Sequence, residues 1–336
     1  MPKHMRNRPP EKGMRLPAEE MQRLVAALFE KAGMSSEDAG FMGEILTQND
    51  LRCVFSHGTR QTPRYIRKIQ EGAVNPRPEI QTVSESPGAL VLDGDGGLGY
   101  GPCYRGTEQA IAKAKNCGIA AVTTRNHYHF GAAGNYSRLA LEHDCIGMAM
   151  SSHRSFAKPE GRIYGAAGGS PVSVAVPAGE QPPLVLDMGG RIVQYSEEFF
   201  AQFPSSIFKG MGLGAVIRAL GGVFAGIYKP EFQEAQSQWE SNQGAFIIVV
   251  DVGHFMPVEE LKSEMDRFIG EARGMKPLPG MERAELAGGM EWQWEKENRE
   301  AGIPVGDEHR QLLEEIAGEL GVETPFSRYE EGGLGG

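Results

Sequence analysis

Residues 126–134 read NHYHFGAAG: two histidines one residue apart, an aromatic on either side of the second, then a run of glycine and alanine. Three chemistries fit that pattern. On a strand, His127 and His129 would project to one face and could act as two ligands of a metal ion. Alternatively, an imidazole, whose unperturbed pKa lies near neutrality, could pass a proton to a substrate, with the small residues after His129 leaving an opening for it. Or a histidine could satisfy backbone groups at a strand end and do nothing more. No carboxylate or thiol stands nearby in sequence to complete a metal site, so no metal is expected.

Two further stretches could do chemistry. Gly94, Gly96 and Gly99 in GDGGLG match G-x-G-x-x-G between a strand and a helix, the context of a dinucleotide-binding turn. The next strand, however, ends in Arg125 and Asn126 where that motif wants an acidic residue for the ribose, and the glycines more simply make a tight turn. The other stretch is SHGTRQTPRY, Ser56 to Tyr65. Adjacent Ser and His do not make a hydrolase, and the chain has no G-x-S-x-G elbow. With Arg60, Arg64 and Tyr65 close behind, the stretch could form a lip that binds an anionic group, because a guanidinium fork matches a carboxylate.

The elements that must position these residues follow from periodicity. Met21, Leu24, Val25, Leu28 and Phe29 recur at helical spacing, and Ser35 with Asp38 caps a second helix running to about Asp50. From ALVLDGDGG onward the pattern reads strand, glycine turn, helix, strand, then CIGMAMSS, VSVAVP, PLVLDM and AFIIVVDV as further apolar strands. KGMGLGAVIRALGGVFAG, residues 209–226, predicts a buried helix. The last helix, DEHRQLLEEIAGEL, predicts an Asp307 cap and a stripe of Leu312, Leu313, Ile316 and Leu320. The fold class is therefore α/β. The basic, Pro-rich stretch 1–16 reads as a flexible arm with no apolar segment behind it, so no membrane anchor is expected.

Thirty-four Lys and Arg stand against 44 Asp and Glu in 336 residues, a net charge of −10 that would repel a phosphate backbone and argues against a nucleic-acid partner. Cys53, Cys103, Cys117 and Cys145 form no C-x-x-C pair, which suits a reducing cytoplasm better than a disulfide framework or a zinc knuckle.

Taken together, DLRCVFSHGTRQTPRY, VNPRP, LVLDGDGGLGYGPCYRGTEQAI, RNHYHFGAAGNYS, VLDM and KGMGLGAVIRALGGVFAG resemble the type-2 malate/L-lactate dehydrogenase family. The resemblance implies a mixed-sheet fold that is not Rossmann, with helical N- and C-terminal segments: 17–75 and 256–330 as a helical substrate and dimer layer, and 76–255 as an α/β nicotinamide-binding core. It implies NAD or NADP as cofactor, a homodimer with the active site near the subunit boundary, and a small 2-oxo or cyclic 2-imino acid as substrate. Carried over by position, His129 matches the proton donor and acceptor, and Ser56 and His57 match the loop meeting nicotinamide and substrate. Gly131, Ala132, Ala133, Asp187, Met188, Lys209, Gly210, Ala301, Gly302 and Ile303 match cofactor-contacting stretches. His153 and Arg154 stand where small polar cofactor contacts are expected.

The departures from the family pattern bear on the substrate. Cys53 and Phe55 replace a Gly and an Asp, Gln61 replaces the arginine of S-H-G-x-x-R with Arg60 one place early, GGSP (168–171) replaces GTNP, and the segment after VLDM is short. They predict a divergent pocket, and they motivate an alternative: a non-redox ligand-binding subunit, hydrolase or isomerase on the same scaffold. The apolar stripes of the terminal helices are expected to leave surface for a second copy to bury.

Overall fold

The structure, a computed structural model, describes residues 7–193 and 195–330. In chain order the elements begin β1 (Met14–Leu16), α1 (Ala18–Lys31), α2 (Ser36–Leu51), α3 (Thr62–Gln70), β2 (Gln81–Ser86), β3 (Ala89–Asp93), α4 (Tyr100–Cys117) and β4 (Ile119–His127). There follow α5 (Gly134–Leu139), β5 (Cys145–His153), β6 (Pro171–Val176), β7 (Leu184–Gly189), α6 (Glu197–Gln202) and α7 (Pro204–Arg218). The chain continues with β8 (Gln243–Asp251), α8 (Val258–Arg273), α9 (Gly289–Ala301), β9 (Ile303–Val305) and α10 (Asp307–Leu320). It divides into two compact units, one made of the residues up to Arg77 with those from Phe268 on, the other of Pro78–Arg267; the division falls within α8.

The first unit is helical. In α1, Met21, Leu24, Val25, Leu28 and Phe29 are all buried, the stripe that their spacing predicts. Ser35 caps α2 by accepting from the Asp38 N–H at 3.1 Å, which satisfies one of the amides left without a partner at a helix start. A two-stranded antiparallel sheet, β1 with β9, brings the two ends of the chain together, Leu16 opposite Ile303. Residues 14–16 are thus a buried-edged strand and not part of a flexible arm; residues 1–6 of that arm lie outside the described residues. In α10 the cap position is Gly306, with Asp307 already helical and no side-chain cap bond. Its buried face is His309, Leu313, Ile316 and Ala317; of the predicted stripe Leu313 and Ile316 are buried, whereas Leu312 and Leu320 are half-buried and His309 and Ala317 take their places.

The second unit is a seven-stranded mixed sheet in the order β2-β3-β4-β8-β5-β6-β7. β3 and β4 are parallel and every other pair is antiparallel. A parallel pair needs a crossover, and α4 supplies it, packing on β3, β4 and β8. Leu90, Leu92, Val122, Ile247 and Val249 form the core against Cys103, Ala110 and Ile111 of that helix. This β-branched, apolar interior explains why these runs are strands. Because of the strand directions, Asp93, His127, His153 and Gly189, as strand ends, and Pro171 and Gln243, as strand starts, all come to one end of the sheet.

The helix expected over 209–226 is α7 followed by a π-helical turn, Ala219–Phe224. It is buried on one face only. Gly214, Gly221 and Gly222 lie against the backbone of Ala167 and the Ser151–Ser152 stretch of β5, while Phe208, Val216, Val223 and Phe224 are 54–64% exposed. Uniform apolarity does not reveal which face packs, and the glycine face wins because it lets the helix approach the sheet closely.

Candidate functional site

The two histidines that open the argument have different fates. β4 ends at His127, where Asn126 takes φ +54 and the pairing with β8 becomes irregular, so His127 and His129 do not share a strand face. Asn tolerates this left-handed conformation better than most residues. His127 is fully buried. Its Nδ1 lies 2.7 Å from the Tyr128 carbonyl, and its Nε2 lies 2.9 Å from Thr124 Oγ1. A carbonyl only accepts, so Nδ1 carries the proton and Nε2 accepts from the threonine. Burial pushes its pKa down to about 4. With both nitrogens engaged it is a structural histidine, not a metal ligand, and no group of three or more His, Cys, Asp or Glu suited to a metal occurs among the described residues.

His129 is held by the glycine turn. The Gly94 and Gly96 amides donate to the carbonyls of Arg125 and Asn126, the Tyr128 amide donates to Gly97 O, and the Gly99 amide donates to His129 O at 3.1 Å. Gly96 sits at φ +71, and a Cβ there would collide with the Trp239 ring. The N–H groups that would bind phosphate in a dinucleotide turn are therefore spent on the chain's own histidine loop. On the other side, Phe130 N donates to Gln243 Oε1 at 3.3 Å, and Tyr136 Oη donates to Phe130 O. Of residues 127–137, His129 alone is not buried. Gly131, Ala132 and Ala133 are themselves buried, with the Tyr100 ring filling the space beside Gly131. The small residues thus let the loop pack and do not open it.

Of the other predicted residues of this unit, His153, Asp187 and Met188 lie toward the same end of the sheet. Gln243 pairs in register with His127 on β4 and with His153 on β5, and His153 is exposed. Asp187, exposed on β7, accepts from Gly134 N at 3.0 Å, tying β7 to the loop of His129; Met188 beside it is half-buried. Asn135, which sequence reasoning did not single out, is buried with its Nδ2 lacking a partner among the described residues. Lys209 is exposed on α7, and Gly210 is buried beside Tyr195. Arg154, expected among the cofactor contacts, is instead held by the protein's own backbone: its guanidinium donates to Ile227 O at 2.8 Å and Ser241 O at 3.3 Å.

In the helical unit, Ser56 Oγ lies 3.0 Å from His57 Nδ1. The backbone around this pair is pinned by side chains: Asn49 Nδ2 donates to His57 O at 3.0 Å, and Gln61 Nε2 donates to Ser56 O at 2.8 Å. Gln61, at the arginine position of the family pattern, thus braces the loop. A cavity of about 720 Å³ is lined by Ser56, Arg60, Gln61 and His309 together with Arg8 and Lys12, within the size range of small-molecule sites. Arg60 pairs with Glu308 at 2.9 Å. The expected anion-binding lip narrows to Arg60, because Arg64 is exposed on α3 and Tyr65 points into the core with no accessible surface. Ala301 ends α9, while Gly302 and Ile303 are buried against β1, with Arg15 donating to Gly302 O at 2.8 Å. Sequence reasoning also missed Asp50, Thr59 and His309, which are buried together beneath this loop. The available signal was the polar run TQND at the end of an otherwise apolar helix.

Comparison with known proteins fits this architecture. The family model described as malate/L-lactate dehydrogenase matches residues 16–198 and 189–314. Malate dehydrogenase of Pyrococcus horikoshii is 31% identical over 93% of this chain and 97% of its own length, and its solved structure superposes with a TM-score of 0.80 over the same shares. L-Sulfolactate dehydrogenase of Methanocaldococcus jannaschii is 30% identical, covering 92% of this chain and 98% of that protein. Ureidoglycolate dehydrogenase (NAD(+)) of Escherichia coli K12 is 23% identical over 89% and 95%.

Proposed function

As a member of the malate/L-lactate dehydrogenase family the chain is an oxidoreductase, and we propose that it moves hydride between a nicotinamide cofactor, NAD or NADP, and a small 2-oxo or 2-hydroxy acid or its cyclic 2-imino equivalent. The observation that carries this reading is His129. Four backbone bonds to the glycine turn fix its loop, and it is the one residue between His127 and Ser137 left accessible. The membership also weighs against the non-redox alternative.

The residues present fit the cofactor. Asn135 offers a buried donor without a partner, next to the Gly134 amide that holds the Asp187 carboxylate. An unmet buried donor costs about 1–3 kcal/mol, which a ligand oxygen would relieve. Lys209 adds an exposed ammonium suited to a phosphate. When bound, reduced nicotinamide supplies the hydride. The protein's own part is to hold a proton on the His129 imidazole and deliver it to the substrate oxygen as negative charge develops there, a contribution of ~10²–10⁴-fold. In the reverse direction the same ring accepts it. His127 cannot share this role, since both of its nitrogens are already engaged. Ser56 and His57 orient the substrate.

The substrate follows from what the SHG loop lacks. With Gln61 at the arginine position bracing Ser56 O and Arg60 sharing its charge with the exposed Glu308, we infer a substrate bulkier or less anionic than malate. The working form is a cytoplasmic homodimer. Of the stripes expected to supply its surface, that of α1 is buried within its own unit, and in α10 Leu313 and Ile316 are buried while Leu312 and Leu320 are half-buried; the exposed apolar face of α7 is the surface we assign to the second copy. Titration with NADH and NADPH, followed by rate measurements on malate, sulfolactate, ureidoglycolate and a cyclic 2-imino acid, tests the reading. Absence of saturable binding of either cofactor would refute it.

A further inference from the structure

The helical unit holds a buried polar cluster that the proposed chemistry does not use. Asp50, in the last turn of α2, has no accessible surface and no Lys or Arg partner within ion-pair distance among the described residues. Its carboxyl accepts from Thr59 N at 3.2 and 3.3 Å and from Thr59 Oγ1 at 2.5 Å. Thr59 Oγ1 in turn lies 2.7 Å from His309 Nε2, on the first turn of α10. The His309 ring meets the Phe55 ring edge-on at 5.9 Å. Gly58 sits so close to this cluster that a Cβ would collide with Asp50 Oδ1. Residues 55–59 are therefore clasped from both sides, by Asp50 through Thr59 and by His309 through Phe55. Ser56 and His57 lie between those two grips.

We propose that the Asp50–Thr59–His309 chain is a positioning device that fixes the Ser56–His57 pair in its working geometry, with Asp50, Thr59 and His309 acting through the loop and not on the substrate. Three features carry this. The chain reaches the loop on both flanks of the pair. It is buried, so water cannot substitute for a lost partner. It also tolerates either polarity: Thr59 Oγ1 donates to a charged Asp50 while accepting from His309 Nε2–H, and it donates to His309 while accepting from a protonated Asp50. The hydroxyl of Thr59 is the one group that both polarities require.

The inference rests on the role proposed above for Ser56 and His57, and the experiment keeps the two apart. Rates are measured well below the melting temperature of each variant, so that kcat refers to folded enzyme. Thr59→Val keeps the shape and removes the hydroxyl; kcat should fall by roughly 10- to 100-fold, the cost of displacing a reacting group by about an ångström, with cofactor affinity unchanged. Thr59→Ser, which restores the hydroxyl, should recover most of the rate. His309→Leu and His309→Gln form a second pair with the same expected contrast, in case Thr59→Val does not fold. Equal kcat for the Val and Ser variants, or for the Leu and Gln variants, would overturn the proposal, since a purely structural role lowers melting temperature without separating them. Ser56→Ala and His57→Asn are the controls. If they lower kcat while the hydroxyl variants do not, only the positioning idea falls; if they leave kcat untouched, the role of the pair falls and the positioning idea with it.

Discussion

Folding should exchange the protonation of Asp50 and His309, and single substitutions should expose it. Burial raises the Asp50 carboxyl from 3.8 to about 7 and lowers the His309 imidazole from 6.5 to about 3. Between pH 3.8 and 6.5 the unfolded chain therefore carries its proton on His309 and the folded chain carries it on Asp50. The count is one in both states, so this pair adds no slope to stability against pH in the wild type. In Asp50→Asn only the histidine remains. The unfolded state then binds the extra proton, and stability lost in acid is regained as pH rises from about 3 to 6.5. In His309→Gln only the carboxyl remains. The folded state binds the extra proton, and stability falls as pH rises from 3.8 to about 7. Each unmatched proton changes the folding equilibrium tenfold per pH unit, so each variant's curve drifts from wild type by about 4 kcal/mol across the shared window, in opposite directions. Arg60, the charge that bears on both groups, is present in all three proteins and cancels. Urea midpoints or melting temperatures taken from about pH 4 to about pH 7 read this directly, the latter as a drift of roughly 2 °C per pH unit relative to wild type. Two variant curves that run parallel to wild type would show that folding does not move the proton, and would remove the reversible polarity from the chain.

That exchange was not legible in the sequence, because Thr59 and His309 are 250 residues apart and a polar run at a helix end looks like a solvated terminus. The elements themselves were legible wherever burial imposes a period or an apolar run. α1 shows its stripe, α2 its Ser35 cap, and β5, β6, β7 and β8 their continuous apolar cores. β2 was hidden because all six of its residues are exposed, leaving no apolar pattern to read. β1 and β9 were hidden because three residues from each end of the chain make a strand only by pairing with each other. At the site, the glycine spacing shows a turn, but its purpose is invisible in one dimension: its amides face the 125–129 backbone. The equivalence of His127 and His129 failed at Asn126, where one left-handed residue breaks the alternation.

Gly96→Ala should cost about 2–5 kcal/mol, from the left-handed backbone and from displacement of the Trp239 ring; a melting temperature within a degree or two of wild type would show that the turn is not clamped. Phe208→Glu, on the exposed face of α7, should sediment as a folded monomer where the wild type sediments as the homodimer proposed above; a variant that remains dimeric would place the interface elsewhere, and a monomeric wild type would refute the dimer. Gln61→Arg should shift kcat/KM toward substrates with a second carboxylate by roughly tenfold or more, the worth of a charge-assisted bond; unchanged selectivity on a paired substrate panel would detach position 61 from substrate choice. His129→Asn is the test of the central assignment. The residue is half-buried, so any fall in melting temperature should be small beside the loss of rate. The proton it delivers matters only as charge develops on the substrate oxygen, so cofactor affinity should persist while kcat falls ~10²–10⁴-fold, with a smaller change in KM. A variant that turns over at the wild-type rate, or that loses stability in place of rate, would return His129 to the same structural role that His127 fills.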